Sequence, residues 1–214
     1  DYATGRRTQQ LQADTGSYAS FATVFKDVLY SVRRGGGLVL SLPDGQELFR
    51  FDEPSRSTSA PIVVDGKLIY SGSSGVRVRD ARTGELIWQK SVLNAGYRNA
   101  VPVVWNDQLV INGTDLILVD LQTGQTRRTV PCGRDAVRFH RSRRQALGGS
   151  STPVVAGQLA WFGHDDTSLR AITHTGEVAW EFRLGTPVKT APVATGNLIL
   201  VHDFAGNLWC FAGN

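Results

Sequence analysis

The stretch from Ser57 to Val92, STSAPIVVDGKLIYSGSSGVRVRDARTGELIWQKSV, contains four short apolar runs, each closed by a turn signal. The breaks are Asp65-Gly66, Gly72–Gly75 and Asp80–Gly84. Asp-Gly and other glycine breaks between alternating or β-branched runs are typical of β-hairpins. Because no run has helical spacing, the stretch predicts one four-stranded antiparallel meander.

Related patterns recur along the chain, in the segments Tyr18–Asp52, Ala100–Val130, Ser151–Leu184 and Pro192–Gly213. The turn glycine of each unit measures the repeat. These glycines are Gly5, Gly45, Gly84, Gly124, Gly176 and Gly213, separated by 40, 39, 40, 52 and 37 residues. A period near 40 with four strands per unit is typical of a β-propeller, so the fold class predicted is all-β. The longest step contains one insertion.

The repeats predict five blades within a single propeller domain. Their predicted spans are 18–52, 57–92, 97–130, 150–184, and 188–213 together with 6–12. The last unit has only three strands, whereas Arg6–Gln12 resembles an outermost strand without a unit of its own. We expect this segment to pair beside Asn207–Ala212 and close the ring, which removes an open sheet edge. The alternative is an arc of a larger ring.

Composition adds three expectations. The 214 residues carry a net charge of +4 that is mostly scattered, except for an arginine-rich insertion at Arg134–Arg144. The chain contains no Met and opens in the middle of a repeat, so we expect a domain of a longer protein that acts as a monomer. No run has the length of a membrane span. Cys132 and Cys210 belong to units that are not neighbours, and no disulfide is expected.

The spacing Asp80-x-x-Thr83-Gly84-x-x-x-Trp88 resembles the tryptophan-docking motif of the pyrroloquinoline-quinone-like (PQQ-like) repeat. Other copies retain parts of it, at Gly124, Gly176 and Trp180. Phe49 and Arg128 stand where Trp88 would be expected. The resemblance implies a propeller in which these positions are structural. Physically, a tryptophan on an outer strand can wedge between blades and donate its single N–H.

The resemblance leaves several functions open. Similar repeats occur in the lipoprotein of the outer-membrane barrel-assembly machinery, in extracytoplasmic sensor domains of bacterial serine/threonine kinases, and fused to phosphoesterases. It therefore implies a non-catalytic binding, sensory or protein-interaction propeller of a larger extracytoplasmic bacterial protein. The alternative is a scaffold beside a catalytic kinase or phosphoesterase domain.

Catalytic readings find little support in the sequence. Quinone dehydrogenases of this family resemble longer, eight-bladed rings with an adjacent Cys-Cys pair, which this chain lacks. A quinone-dehydrogenase fragment is therefore the weaker alternative, and no cofactor is expected. The chain also has no Gly-x-Ser-x-Gly or His-Glu-x-x-His motif.

The candidate site lies on the face where strand-two-to-strand-three turns meet the connectors between blades. These turns carry Asp115, His164-Asp165-Asp166 and His202-Asp203. A protein or acidic ligand is the expected partner there, since arginine grips carboxylate or phosphate in two places. The candidate ligand-binding residues are Arg56, Tyr97, Arg98, Lys189, Arg138, His140, Arg141, Arg143 and Arg144. The simpler alternative is that these turns and the insertion are only solvated.

Two other readings of this face are weaker. His164, Asp165 and His202 have residue types that bind divalent ions, but no spacing forces them together, so no metal is expected. The basic insertion interleaves only Phe139 and His140 with its arginines. Stacking support for nucleic acid is therefore thin, and no nucleic-acid partner is expected.

Overall fold

The computed structural model describes residues 21–33, 35–53, 59–72, 75–92, 100–132 and 148–213. These residues form five antiparallel sheets, four with four strands and one with three. In every sheet the strands pair in chain order as a meander. The described part of the chain is therefore an all-β propeller with five blades, as the repeat predicts.

The first two blades agree closely with the strand pattern read from the sequence. Blade one contains β1 (Phe21–Phe25), β2 (Val28–Arg33), β3 (Gly36–Ser41) and β4 (Glu47–Phe51). Blade two contains β5 (Ile62–Val64), β6 (Lys67–Gly72), β7 (Gly75–Asp80) and β8 (Leu86–Lys90).

Blades three and four repeat this order, and blade five stops one strand earlier among the described residues. Blade three contains β9 (Val103–Trp105), β10 (Gln108–Asn112), β11 (Leu116–Asp120) and β12 (Thr126–Val130). Blade four contains β13 (Val154–Ala156), β14 (Leu159–Gly163), β15 (Ser168–Ile172) and β16 (Val178–Arg183). Blade five contains β17 (Val193–Thr195), β18 (Leu198–His202) and β19 (Leu208–Ala212). The predicted pairing of Arg6–Gln12 with β19 involves residues outside the described part of the chain and stays a prediction.

The Asp-Gly signal in the opening stretch forms the expected tight turn. Asp65 has φ 49° and Gly66 has φ 71°, so both central residues are left-handed. This is the type I′ geometry that matches the twist of the two strands it joins. The turn fixes the register in which Val64 pairs with Lys67.

The core consists of four apolar layers, each between consecutive blades. The layer between blades two and three, for example, contains Ile69, Val78, Trp88, Leu109 and Val119, all buried. Alternate residues of each middle strand face opposite neighbours, as the two-residue period of a strand requires. The fold is therefore held mainly by contacts from one blade to the next.

The DxxTG motif builds the turn between the third and fourth strands. Asp80 Oδ1 accepts hydrogen bonds from the backbone N–H groups of Arg82, at 2.8 Å, and Thr83, at 2.9 Å. Thr83 Oγ1 accepts the N–H of Glu85 at 3.2 Å. Gly84 completes the turn with φ 76°, which favours glycine.

Trp88 wedges between blades two and three. Its Nε1 donates a hydrogen bond to the carbonyl of Leu121 at 3.1 Å. Its ring lies on Gly124, where an ideal Cβ would stand 2.8 Å from Trp88 Cδ2. Glycine is therefore favoured at position 124 for two reasons: it leaves room for the indole, and its φ is 73°.

The two departures from the motif dock in the same way. An ideal Cβ on Gly84 would lie 2.8 Å from Cε2 of Phe49, and one on Gly176 would lie 2.5 Å from Cγ of Arg128. A phenyl ring and the methylene stem of an arginine thus replace the indole of Trp88, since an arginine stem can cover apolar surface. In each of these three junctions, an outer strand contacts the turn glycine of the following blade.

A bulge recurs between the third and fourth strands of all four four-stranded sheets. The register shifts at Val39/Leu40, Val78/Arg79, Leu118/Val119 and Ala171/Ile172. A bulge bends its strand and increases the local twist. We infer that this twist aims the outer strand at the next blade.

Candidate interaction face

One face of the propeller brings second hairpins of blades three, four and five against the connectors between blades. Gly149 N donates to Gly113 O at 2.5 Å, and Val188 N donates to His164 O at 3.2 Å. Phe204 N donates to Pro187 O at 2.9 Å. We call this side the connector face. It carries the candidate residues of the sequence analysis that fall within the described chain.

His164 lies inside this face and has no exposed surface. Its Nδ1 accepts the backbone N–H of Asp166 at 3.2 Å, and its Nε2 lies 3.3 Å from the carbonyl oxygen of Gly113. With Nδ1 as acceptor, the tautomer that fits carries its proton on Nε2 and donates to Gly113. His164 therefore ties blade four to blade three.

Asp166 is the centre of a buried polar cluster. Its carboxylate accepts hydrogen bonds from Ser168 Oγ at 2.5 Å and Arg170 Nη2 at 2.6 Å. Burial alone would raise the pKa of Asp166, but the hydrogen bonds that its carboxylate accepts, those from Ser168 and Arg170 among them, outweigh burial and hold the pKa well below its usual range. The carboxylate is therefore charged at neutral pH and structural in its contacts.

We expect Asp166→Asn to make the free energy of unfolding depend less on pH under acidic conditions. Because the pKa of Asp166 is lower in the folded chain, the unfolded chain binds more protons between about pH 5 and pH 2. The stabilisation is thus fully present above the unfolded pKa and is lost as the pH falls through the folded pKa. Urea unfolding at several pH values tests this, and equal slopes for the variant and the unmodified chain would contradict it.

Arg170 and Cys132 complete the same junction between blades three and four. Arg170 Nε donates to Glu181 Oε2 at 3.1 Å, while its buried Nη1 has no partner among the described residues. Burial raises the pKa of the Cys132 thiol to about 11. Because a thiol of this pKa is protonated near neutral pH, Cys132 acts as a small apolar residue.

The remaining acidic candidates hold turns in place. Asp115 Oδ1 accepts the backbone N–H of Cys132 at 3.0 Å. Asp165 lies 3.4 Å from the hydroxyl of Ser150. Asp203 accepts the indole N–H of Trp209 at 2.9 Å. Although burial would raise its pKa, bonds from Asn207 and Trp209 place the pKa of Asp203 well below the usual range.

Lys189 and His202 are the more accessible candidates. Lys189 Nζ lies 3.9 Å from the centre of the Phe204 ring, a cation–π contact at the rim of the face. The His202 side chain is exposed, and its backbone carbonyl accepts the hydroxyl of Thr190 at 2.8 Å. The other candidates lie outside the described residues: Arg56, Tyr97, Arg98, Arg138, His140, Arg141, Arg143 and Arg144.

The described residues provide no cluster of side chains for the metal site considered from the sequence. Among the described residues, no group of three or more His, Cys, Asp or Glu side chains could hold an ion. His164 is committed to the junction between blades three and four, whereas His202 belongs to blade five. The structure therefore does not bring His164, Asp165 and His202 into one ligand set.

A second surface was not expected from the sequence. A cleft of about 790 Å³ opens between blades four and five, on the side away from the connector face. Its walls include Trp161, Trp180, Phe211 and Cys210. Trp180 packs between blades four and five, where its ring contacts Trp161 and Phe211, with centroids 5.4 and 5.2 Å away. The related signal in the sequence is that the last unit, Pro192–Gly213, has three predicted strands.

The two cysteines are free, Cys132 buried and Cys210 exposed. In the part of the chain that the structure describes, no helix has the length and hydropathy needed to cross a membrane.

The fold and its docking glycines define a propeller of PQQ-like repeats. A family model described as "Outer membrane protein assembly factor BamB" matches residues 1–157. The chain belongs to this family. No curated protein sequence matches it.

Solved structures support the same fold. BamB from Moraxella catarrhalis superposes with a TM-score of 0.76 at 17% identity, over 87% of this chain and 58% of that chain. The computationally designed Ika8 protein gives 0.68 at 15% identity, over 89% and 57%. The designed Ika4 protein gives 0.59 at 15% identity, over 78% and 98%. The chain thus spans less than two thirds of the BamB and Ika8 chains.

Proposed function

We propose that this propeller is a non-catalytic protein-interaction module that binds an acidic partner on its connector face. Membership of a family described as an outer-membrane protein assembly factor supports an assembly role and an extracytoplasmic location. A sensory role and a place beside a kinase or phosphoesterase have no comparable support.

The position of the basic insertion carries the proposal. Its two flanks are fixed to one hairpin, because Cys132 N donates to Asp115 and Gly149 N donates to Gly113 O. The residues that flank the insertion, Cys132 and Gly149, therefore lie beside the same turn of the connector face. The sequence between these flanks contains five arginines and a single acidic residue. A segment of this composition suits a partner rich in carboxylates, because each guanidinium can bind a carboxylate through two hydrogen bonds.

A labelled twelve-residue Glu-rich peptide is a suitable probe for the full chain. Arg141→Ser combined with Arg143→Ser and Arg144→Ser should weaken its binding about tenfold, since three positive charges that would pair with the peptide are lost. Added salt should weaken binding by the unmodified chain, because exposed charges are screened. Fluorescence anisotropy measures both effects.

A matched control replaces Arg50, Lys67 and Arg82 with serine. These substitutions remove the same charge, but the three residues lie on the outer rim or on the opposite face. If the control loses as much affinity as the test variant, the peptide responds only to net charge. That result would refute a specific site on the connector face.

A further inference from the structure

A polar pocket lies at one end of blade two, beside the connector face. Its volume is about 320 Å³, and it is lined by Val76, Arg77, Gln89, Lys90 and Ser91. β7 begins at Gly75, directly after the second hairpin of this blade, and Val76 pairs with Lys90 of β8. The lining residues therefore lie at the end of the blade where its outer strands meet the second hairpin.

Arg77 forms the buried wall of this pocket, and Gln89 forms the wall that faces solvent. Arg77 pairs with Gln89 across β7 and β8, and with Tyr70 across β6 and β7. Paired residues of antiparallel strands share one face of the sheet, so these three side chains point toward the layer between blades one and two. Arg77 is 8% exposed, whereas Gln89 is exposed. The pocket thus leads from the surface to a buried guanidinium.

The charged side chains around Arg77 carry more positive than negative charge. Arg77 Nε lies 3.2 Å from Oε2 of Glu53, and Arg79 Nη2 lies 4.0 Å from the same oxygen. The side chains of Arg77 and Arg79 are 10% and 11% exposed, and that of Glu53 is fully buried. In the described part of the chain, two guanidinium groups thus share one carboxylate.

Tyr70 does not add a negative charge to this cluster. Its hydroxyl donates to Glu53 Oε2 at 2.6 Å and accepts a hydrogen bond from Arg79 Nε at 2.9 Å. Burial, together with the Glu53 carboxylate, raises the pKa of Tyr70 above its usual value. The hydroxyl is therefore neutral near neutral pH, and the cluster keeps its excess of positive charge.

The neighbouring sequence also lacks a balancing charge. The segments that adjoin this cluster along the chain, residues 54–58, 73–74 and 93–99, contain no Asp or Glu. A buried charge without a counterion is costly. An excess of positive charge beside an open pocket therefore favours the binding of an anion.

The other lining residues suit an anion as well. Lys90 contributes a second cationic side chain, and its Nζ donates to the carbonyl of Gly124 at 3.2 Å. An ammonium group has three donors, and this bond occupies one of them. Gln89 and Ser91 are both exposed and add an amide and a hydroxyl donor. The pocket therefore combines cations with neutral donors, which is the chemistry that binds a carboxylate.

We propose that this pocket is a carboxylate subsite of the connector face, which takes one Asp or Glu side chain of the acidic partner. Arg77 supplies the buried charge, while Gln89 and Ser91 donate hydrogen bonds at the rim. The volume is at the low end of the range for ligand sites, about 300–1,000 Å³, and suits a single side chain. This inference rests on the function proposed above and narrows it, because it assigns a shaped site on blade two.

The first test compares two glutamine-to-glutamate substitutions in the full chain, with the labelled Glu-rich peptide as probe. Gln89→Glu places a carboxylate in the pocket and should weaken peptide binding about tenfold, because like charges then meet. Gln125→Glu makes the same change in the turn between β11 and β12, on the side away from the connector face. Two other repeats carry Glu85 and Glu177 at this position, so glutamate fits there. This control should bind within about twofold of the unmodified chain, since a distant exposed charge is screened.

The second test uses N-acetylglutamate, so that the pocket can be examined whether or not the peptide binds. Titrated into the ¹⁵N-labelled chain, it should shift the side-chain amide signal of Gln89 more than that of Gln125. Inorganic phosphate at the same concentration should shift the Gln89 signal less, because the site is assigned to a carboxylate side chain. The urea midpoint of Gln89→Glu checks that this exposed substitution leaves the fold intact.

Three results would overturn the subsite. They are equal losses of affinity in Gln89→Glu and Gln125→Glu, equal shifts of the two amide signals, and a larger response of Gln89 to phosphate, which would make a free anion the occupant. If the arginine substitutions in the insertion still weaken peptide binding, the proposed function stands without the subsite. A selective shift of Gln89 with no peptide binding would support the pocket and refute the acidic partner.

Discussion

Replacing Trp88 with alanine is expected to lower the free energy of unfolding by about 3–5 kcal/mol. The indole is 9% exposed, fills the junction between blades two and three, and covers Gly124. Its removal leaves a cavity and also leaves the carbonyl of Leu121 without the indole N–H. Equilibrium unfolding in urea, followed by circular dichroism, measures the loss.

The neighbouring residue on the same strand provides the control. Ile87 is 45% exposed, so Ile87→Ala should cost much less than Trp88→Ala. Trp88→Phe should fall between them, because it keeps the ring contact with Gly124 and loses the hydrogen bond. Similar losses for Trp88→Ala and Ile87→Ala would refute the assignment of Trp88 as the wedge of this junction.

The second large effect is expected at Glu53, where alanine should lower the free energy of unfolding by about 3–5 kcal/mol. Glu53 is buried, and its Oε2 accepts the hydroxyl of Tyr70 at 2.6 Å and lies 3.2 Å from Arg77 Nε. Arg79 Nη2 is also 4.0 Å away. Removing the carboxylate takes away the buried negative charge that Arg77 and Arg79 face, which is the costly way to break such a cluster.

Glu47→Ala is the matched control, since it also removes a carboxylate paired with an arginine. That pair is exposed at the surface, with Arg50 Nε 2.7 Å from Glu47 Oε1. Exposed pairs of this kind contribute little to stability, so the control should change the urea midpoint little. Glu53→Gln keeps the shape and removes the charge. If it were as stable as the unmodified chain, the ionic account of this cluster would be wrong.

The sequence predicted the strand order because each hairpin turn depends on a few neighbouring residues. Asp65-Gly66 predicted a tight hairpin, and both residues have the required positive φ. The Asp80–Gly84 spacing predicted a turn, and its side chains bond to the backbone of that turn. Each of these features depends on residues close together in sequence.

Contacts between blades were less predictable because they join residues far apart in sequence. Arg128 breaks the docking pattern by residue type, yet its methylene stem occupies the place of an indole. Glu53 stands in a connector with no motif around it, and its role depends on Tyr70 and Arg77 in the next blade. No short pattern signals that convergence.

The candidate site was also predictable only in the features that depend on local sequence. His164, Asp166 and Asp203 were candidates because of their residue types. In the structure their polar groups form hydrogen bonds within the fold. A histidine or carboxylate beside a turn has the same sequence signature whether it binds a ligand or holds the turn. The arrangement of the second hairpins against the connectors, by contrast, follows from the topology of the meander.

The docking of each outer strand on the next blade has a consequence for how such chains can be rearranged. The pairs Phe49 with Gly84, Trp88 with Gly124 and Arg128 with Gly176 each join two repeats. A blade moved alone would take its turn glycine and its docking side chain away from the residues that they contact in the neighbouring blades. The unit that can be duplicated, deleted or recombined without loss is therefore the junction, which begins inside one repeat and ends inside the next.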